Sequence, residues 1–490
     1  MDVRRLAGVF LLSFVACREA ELVSVEVPQD LTPPGCLGHG GDVEPRSSCA
    51  TVVTDRAVDV LFVVDAHASA FGWQVALADA MPRFVQAALG GRPVPDLRVA
   101  IVPAQRIDGM CEGTPAGRSP GVFSDRSCLD RSSWFEGQAA REACVARCSK
   151  SYDHEGLWWS WSSGDDVDAL GEQLRCAALV SDRGCSAAEP LAAVRAVYGR
   201  NPEDGVFFRP GAAPFLVIVS AADDCSAELG AGAALDTLGR GECWIEGADC
   251  VEVGDSVWSC EQADSARLLD PSEGSAWIAE QFRWSRLLAT PSGHVSILAG
   301  WGSGSSVPLR VRPPGPQHEF VAPTCSRGEA EALPPIRLTG VADRLELAGV
   351  DVSTGSLCRN GLEQTLEALG RRVVEALHPG CVPYCVADED ANTPGVQHDC
   401  TFVGHWVDDA GRHERQLPLC EATGGGDGIS PGAPGCVVLR TGPAMHPTCV
   451  EQGSNVEAEL VWNGPLPLGL ALVPHCRVSK NRSLDCPDLP

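Results

Sequence analysis

The chain has 490 residues, a hydrophobic fraction of 44% and a net charge of −27. That length exceeds one typical domain and predicts two or three, with enough apolar material for sizeable cores. The charge argues against a nucleic-acid binder, which needs a basic face to displace counterions from phosphates. Lysine occurs only at Lys150 and Lys480, and the arginines form no stripe.

Arg4 and Arg5 precede an apolar run from Leu6 to Val15, the order of an export signal, and the run is short for a bilayer span. It ends in Phe14-Val15-Ala16-Cys17, which resembles a bacterial lipobox. The resemblance implies a lipoprotein signal peptide over 1–17 with Cys17 acylated, and an ordinary cleaved signal is the alternative. The chain carries 23 cysteines. Setting Cys17 aside leaves an even number, expected to be paired in an oxidising compartment. Cys144/Cys148 and Cys381/Cys385 are close enough for metal ligands, but no histidine follows at zinc-finger spacing, so disulfides are the expectation. Residues 18–50, with Pro28, Pro33, Pro34 and Gly35, read as a tether clipped by Cys36 and Cys49.

From residue 51 the pattern turns α/β. Val58 to Val64 predicts a buried strand with Asp65 at its carboxyl end. Leu77, Met81, Phe84, Val85 and Ala88 recur at helical spacing, with Pro82 expected to kink or divide the helix. Leu97 to Val102 is a second strand. Residues 103–175 are irregular and Cys-rich, and predict a stapled insertion. Ala187 to Tyr198 predicts a helix, Phe215 to Val219 a central strand, and 226–270 a second Cys-bearing insertion. Ser275 to Leu288 predicts a helix, His294 to Ala299 a strand, and 303–335 a loop. Leu362, Leu366, Leu369, Val373 and Leu377 line the clearest helix, stopped by His378-Pro379-Gly380. Strands alternating with helices over 51–380 imply a parallel sheet covered on both faces. Over 381–490 short extended runs, such as Gly435 to Leu439 and Glu457 to Trp462, predict a small disulfide-rich module.

Several segments together resemble secreted bacterial lipoproteins with a von Willebrand factor A domain. Ala57 to Ser69 is similar to the first strand and metal-ion loop, Leu174 to Leu191 to the second loop and helix, and Phe215 to Ser226 to the third metal-site strand. Ser356 to Leu377 resembles the closing segment, and Pro394 to Cys400 the start of the C-terminal module. The resemblance implies a doubly wound, Rossmann-like α/β domain with Cys-rich insertions. It also implies a divalent-cation site at the carboxyl edge of the sheet, with Asp65 as anchoring acid and Ser69 as a hydroxyl ligand. His67 stands where the first hydroxyl is usual, Ser186 near the usual Thr, and Ser220-Ala221 where Thr-Asp is usual. Mg²⁺ favours oxygen ligands and negative charge, so the altered set predicts weak or no Mg²⁺ binding. Asp223 or Asp224 could reach back, and His67 could turn preference toward Zn²⁺.

Two further motifs carry alternatives. Asp388 to Asn392 with Asp399 imitates calcium-loop spacing, but Thr393 stands where the sharp turn needs Gly, so a solvated turn is expected. Trp158, Trp159 and Trp161 either stack on sugars or anchor a partner, or fill a Cys-rich loop. No Gly-x-Ser-x-Gly elbow, His-Glu-x-x-His or phosphate-binding loop occurs. The expected function is therefore non-enzymatic: a membrane-anchored extracytoplasmic protein binding a protein or polysaccharide partner. A structural envelope scaffold is the alternative, followed by a hydrolase with its site in the insertions.

Overall fold

The computed structural model describes residues 57–90, 95–105, 123–124, 126–149, 156–161, 165–184, 188–199, 207–209, 212–226, 247–254, 257–263, 268–287, 293–301, 323–358, 361–377, 380–382, 384–388, 398–408, 411–420, 435–451, 453–462, 468–481 and 486. In chain order the elements begin with β1 (Ala57–Val64), α1 (Phe71–Leu89), β2 (Asp96–Pro103), α2 (Gln138–Arg147), β3 (Trp159–Trp161) and α3 (Val167–Ala177). There follow α4 (Pro190–Tyr198), β4 (Ala213–Val219), β5 (Ala248–Gly254), β6 (Val257–Gln262), α5 (Pro271–Leu287) and β7 (His294–Ala299). Next come β8 (Cys325–Arg327), β9 (Ala330–Ala332), α6 (Ile336–Leu347), β10 (Asp351–Ser356) and α7 (Leu362–Glu375). The last are β11 (Cys400–Asp408), β12 (Gly411–Leu417), β13 (Gly435–Thr441), α8 (Pro447–Glu451), β14 (Val456–Trp462) and β15 (Leu468–Cys476).

A six-stranded sheet in the order β10-β7-β4-β1-β2-β3 is the centre of the first part. Every pairing is parallel except that of β3, which runs antiparallel to β2. Its inner strands are continuous apolar runs, as strands covered on both faces must be. On one face Val58, Val60, Phe62 and Val64 pack in a core with residues of α1, α3 and α7. On the other, Leu61, Val63, Leu216 and Ile218 pack with α4, α5 and α6. Helix α7 lies so close to α1 that a Cβ at Gly370 would fall 2.5 Å from the Phe84 carbonyl oxygen. A larger residue there would force the two helices apart.

Three expectations need correction. Pro82 does not divide α1, which runs unbroken from Phe71 to Leu89 around it. Packing of a long apolar face outweighs the one hydrogen bond that proline cannot make. The stretch 103–175 is not wholly irregular: it contributes α2, and β3 extends the main sheet. The stretch 303–335 contains the β8/β9 hairpin, tied to the segment after β10 by Cys325–Cys358.

Beyond residue 380 the chain forms a three-stranded sheet, β12-β11-β15, and a β13/β14 hairpin. They share a core of Val382, Val386, Phe402, Leu417, Val437, Val456, Leu460 and Leu472. Four disulfides close this part on itself: Cys381–Cys449, Cys385–Cys486, Cys400–Cys476 and Cys420–Cys436. Every described cysteine is disulfide-bonded, which suits an oxidising compartment. Cys144 and Cys148 enter separate bridges, to Cys128 and Cys176. Among the described residues no helix is long and apolar enough to cross a membrane.

Candidate functional site at the carboxyl edge of the sheet

The chain passes from β1 to β2 on one side and later places β4 on the other. That reversal makes the carboxyl ends of β1 and β4 a topological switch point, the place where open α/β sheets bind ligands. Asp65 is the residue immediately after β1 and is only 2% exposed. Its Oδ1 accepts from the His67 backbone N–H at 3.0 Å and from Gln105 Nε2 at 2.5 Å. Its Oδ2 accepts from the Ala221 N–H at 3.1 Å. A buried carboxylate is costly unless its oxygens find donors, and here both do.

The surrounding frame is equally well bonded. Gln105, just beyond β2, turns its Oε1 to the Ala66 N–H at 2.6 Å. Gln74 in α1 donates to the carbonyls of Asp65 at 2.9 Å and Ser181 at 2.7 Å, and accepts from the Val180 N–H at 3.0 Å. The Gly184 N–H reaches the Ala66 carbonyl at 3.0 Å. A Cβ at Gly184 would lie 2.7 Å from the Ala66 carbonyl carbon, so this approach needs glycine. His67 and Ser69, both half-buried, belong to the 3-10 turn Ala68–Ala70 and its N-cap, of which Ala68 alone is exposed and Ala70 is buried. His67 Nδ1 accepts from the Ser69 N–H at 3.1 Å and lies 2.8 Å from Ser69 Oγ. The two expected ligands are thus bonded to each other.

Asp223 faces a different partner. Its carboxylate accepts from the N–H groups of Arg337 at 2.9 Å and Leu338 at 3.1 Å, capping the first turn of α6, and from its neighbour Asp224 at 2.9 Å. Burial pushes its pKa up to about 6 against the pull of those donors and of Arg337. Arg337 is itself buried, with Nε on the Asp224 carbonyl at 2.8 Å and a further bond to the Leu269 carbonyl. Asp223, which could reach back to a metal by its place in the sequence, is engaged by the open N-terminus of α6.

This donor set does not fit a hard divalent cation. Both Asp65 oxygens are engaged by N–H donors, Ala221 brings a methyl group, and Asp223 is committed to α6. Zn²⁺ fares no better, because among the described residues no convergent group of three metal-type side chains includes His67. Among the described residues the one convergent group of three metal-type side chains is Cys128, Cys144 and Cys148, all in disulfides. Ser186 and Cys17 lie outside the described residues, as does most of the acidic loop after Asp388.

Of the two readings of the tryptophan run, the packing one describes Trp159 and Trp161. Trp159 and Trp161 are 3% and 6% exposed, part of β3 and of the core beside Val99 and Leu97. Trp158 packs edge-on against Phe123 and Phe207, with the Arg98 guanidinium 5.3 Å above its ring.

The amino edge of the sheet holds two polar clusters with no signature motif in the sequence. Asp59 in β1 is fully buried and bonds Arg209 through Nε at 2.8 Å, while Arg209 also pairs with Asp96 at 2.8 Å. Burial raises the Asp59 pKa against the opposing pull of Arg209. On β7 and β10, His294 Nδ1 lies 2.8 Å from Asp351 Oδ2, and Nε2 lies 2.8 Å from Ser353 Oγ. Arg372 of α7 donates to Asp351 at 2.9 Å and lies 3.1 Å from His294 Nδ1. Burial lowers the His294 pKa despite Asp351. Burial pushes Asp351 up, but His294 and Arg372 together hold it below the usual carboxylate range.

No protein-family model matches the chain, and no curated protein matches it. Among solved structures it is similar to the pilus adhesin SpaC from Lactobacillus rhamnosus GG, with TM-score 0.30 and 9% identity over 88% of this chain and 40% of that one. The open conformation of that adhesin gives TM-score 0.30 and 9% identity, covering 90% of this chain and 41% of that one. The human COPII-coat protein Sec24c gives TM-score 0.29 and 8% identity, covering 87% of this chain and 44% of that one. The chain thus spans less than half the length of these proteins, and likeness at this level assigns neither fold nor function.

Proposed function

We propose that this is a lipid-anchored, extracytoplasmic protein of the von Willebrand A type that binds a protein or polysaccharide partner at the carboxyl edge of its sheet, without catalysis. The observation that carries the reading is Asp65 at the β1/β4 reversal, held in a frame of hydrogen bonds beside a turn whose Ala68 is exposed. Strand order supports the domain type: β3 antiparallel at one edge, then β2, β1, β4, β7 and β10 in parallel. Disulfides at every described cysteine support the compartment. The test is partner capture from native envelope by the intact protein. Ala68→Arg, on the exposed turn, should abolish capture. Val145→Arg, on α2 where Val145 is 66% exposed, should not. Equal capture by both variants would refute the surface. Cys17→Ser should release the protein from membranes or block its processing.

A second reading, a serine hydrolase, draws on one observation: Ser353, His294 and Asp351 stand in hydrogen-bonding sequence, outside the insertions. Opposing it, Arg372 competes for Asp351 and His294, and His294 is buried. We read the cluster as the polar lock between α7 and the sheet edge. A fluorophosphonate probe separates the readings: labelling lost in Ser353→Ala would establish a nucleophile, and no labelling of the wild type supports the lock.

A further inference from the structure

We propose that the side-chain amide of Gln105 replaces the divalent cation at this sheet edge, so that partners are recognised there without a metal bridge. The inference rests on the A-domain reading for the expectation of a cation, and on geometry for its replacement. Asp65 is buried and must have its charge met locally. Gln105 Nε2 meets it at Oδ1. The amide cannot serve in the flipped orientation. Its Oε1 is fixed by the Ala66 N–H at 2.6 Å, and a flip would set an oxygen against the carboxylate and an NH₂ against an N–H. Ala221 completes the substitution by offering a backbone N–H to Oδ2 where a second carboxylate would be expected. A cation entering at Asp65 would have to expel the amide, orphan the Ala66 N–H and find a second acid, while Asp223 is held by the N-terminus of α6. A partner therefore has no need of an acidic group to complete a coordination sphere. Recognition falls to direct hydrogen bonds and packing on the Ala68–Ala70 turn.

Gln105→Glu tests this in the intact protein. Glutamate keeps the acceptor for Ala66 but sets a second carboxylate against Asp65. In chelator at neutral pH the variant should melt below the wild type, because two adjacent carboxylates repel unless they share a proton or a cation. Mg²⁺ or Mn²⁺ should restore its melting temperature, as should mild acid. Gln105→Ala should melt lower than wild type and show no rescue by ions. The wild type should melt identically in chelator and in millimolar Mg²⁺ or Mn²⁺. A wild-type stabilisation by either ion that disappears in Asp65→Asn would overturn the proposal, and so would a Gln105→Glu protein as stable in chelator as wild type. Should Gln105→Glu fail to fold in every condition, the wild-type comparison decides alone. Loss of the partner-binding reading is recognised separately, by the Ala68→Arg capture experiment, which does not depend on ions.

Discussion

Strand β1 carries two buried acids, one near each end, and the molecule treats them differently. Asp59 at the amino edge is neutralised by a full opposite charge, with Arg209 bonded to it and to Asp96. Asp65 at the carboxyl edge meets only neutral donors: two backbone N–H groups and the amide of Gln105. An ion pair closes the amino edge as a structural clasp. Neutral dipoles hold Asp65 at the carboxyl edge, beside a turn of which Ala68 is exposed. The difference separates an edge held by charge pairing from one held by neutral dipoles, and the proposed partner surface lies at the second.

Breaking the amino-edge pair should have the largest effect. Asp59→Ala takes from the half-buried Arg209 one of its two carboxylate partners, leaving Asp96, and should cost about 3 kcal/mol in denaturant unfolding. Asp65→Ala removes the acceptor for three donors without stranding a charge, and should cost about 2–3 kcal/mol. If Asp65→Ala proved the more damaging of the two, the contrast between the edges would fail. Asp223→Ala removes the cap of α6 and should cost about 1–2 kcal/mol.

Acid titration sharpens the picture further. Asp223 binds its proton more tightly when folded, so its contribution is present below the ordinary value of 3.8 and lost as pH rises through about 6. Asp223→Asn should remove that decline from the stability profile. His294 runs the other way: its pKa is depressed by burial, so its contribution is present above 6.5 and lost as pH falls through the folded value. His294→Gln should flatten that acid limb, and unchanged pH profiles in both variants would contradict the assignments. The smallest stability effect belongs to Ala68→Arg, within about 0.5 kcal/mol of wild type, although it should abolish capture.

Much of the fold was legible because β1, β2, β4 and β7 are unbroken apolar runs and α7 repeats leucine at helical spacing. Helix α6 and strand β10 escaped notice. The first carries a buried arginine in its opening turn and is of mixed polarity, and β10, Asp-Val-Ser-Thr-Gly-Ser, is a half-exposed edge strand without an apolar run. At the site, Asp65 was readable from its place after a strand. Gln74 and Gln105 were not singled out, yet each left a trace: one amide on the apolar face of α1, the other directly beyond a buried strand. What could not be read was direction. Spacing alone makes Asp223 a ligand within reach, while the N-terminus of α6, more than a hundred residues away in sequence, takes both its oxygens.

The central claim is that the carboxylates of this edge are satisfied from within. Calorimetric titration of the intact protein with Mg²⁺, Mn²⁺ and Zn²⁺ tests it most directly. No heat of specific binding is expected at micromolar affinity, an interaction worth about 8 kcal/mol. Micromolar binding of Mg²⁺ or Mn²⁺ lost in Asp65→Ala, or of Zn²⁺ lost in His67→Ala, would contradict it.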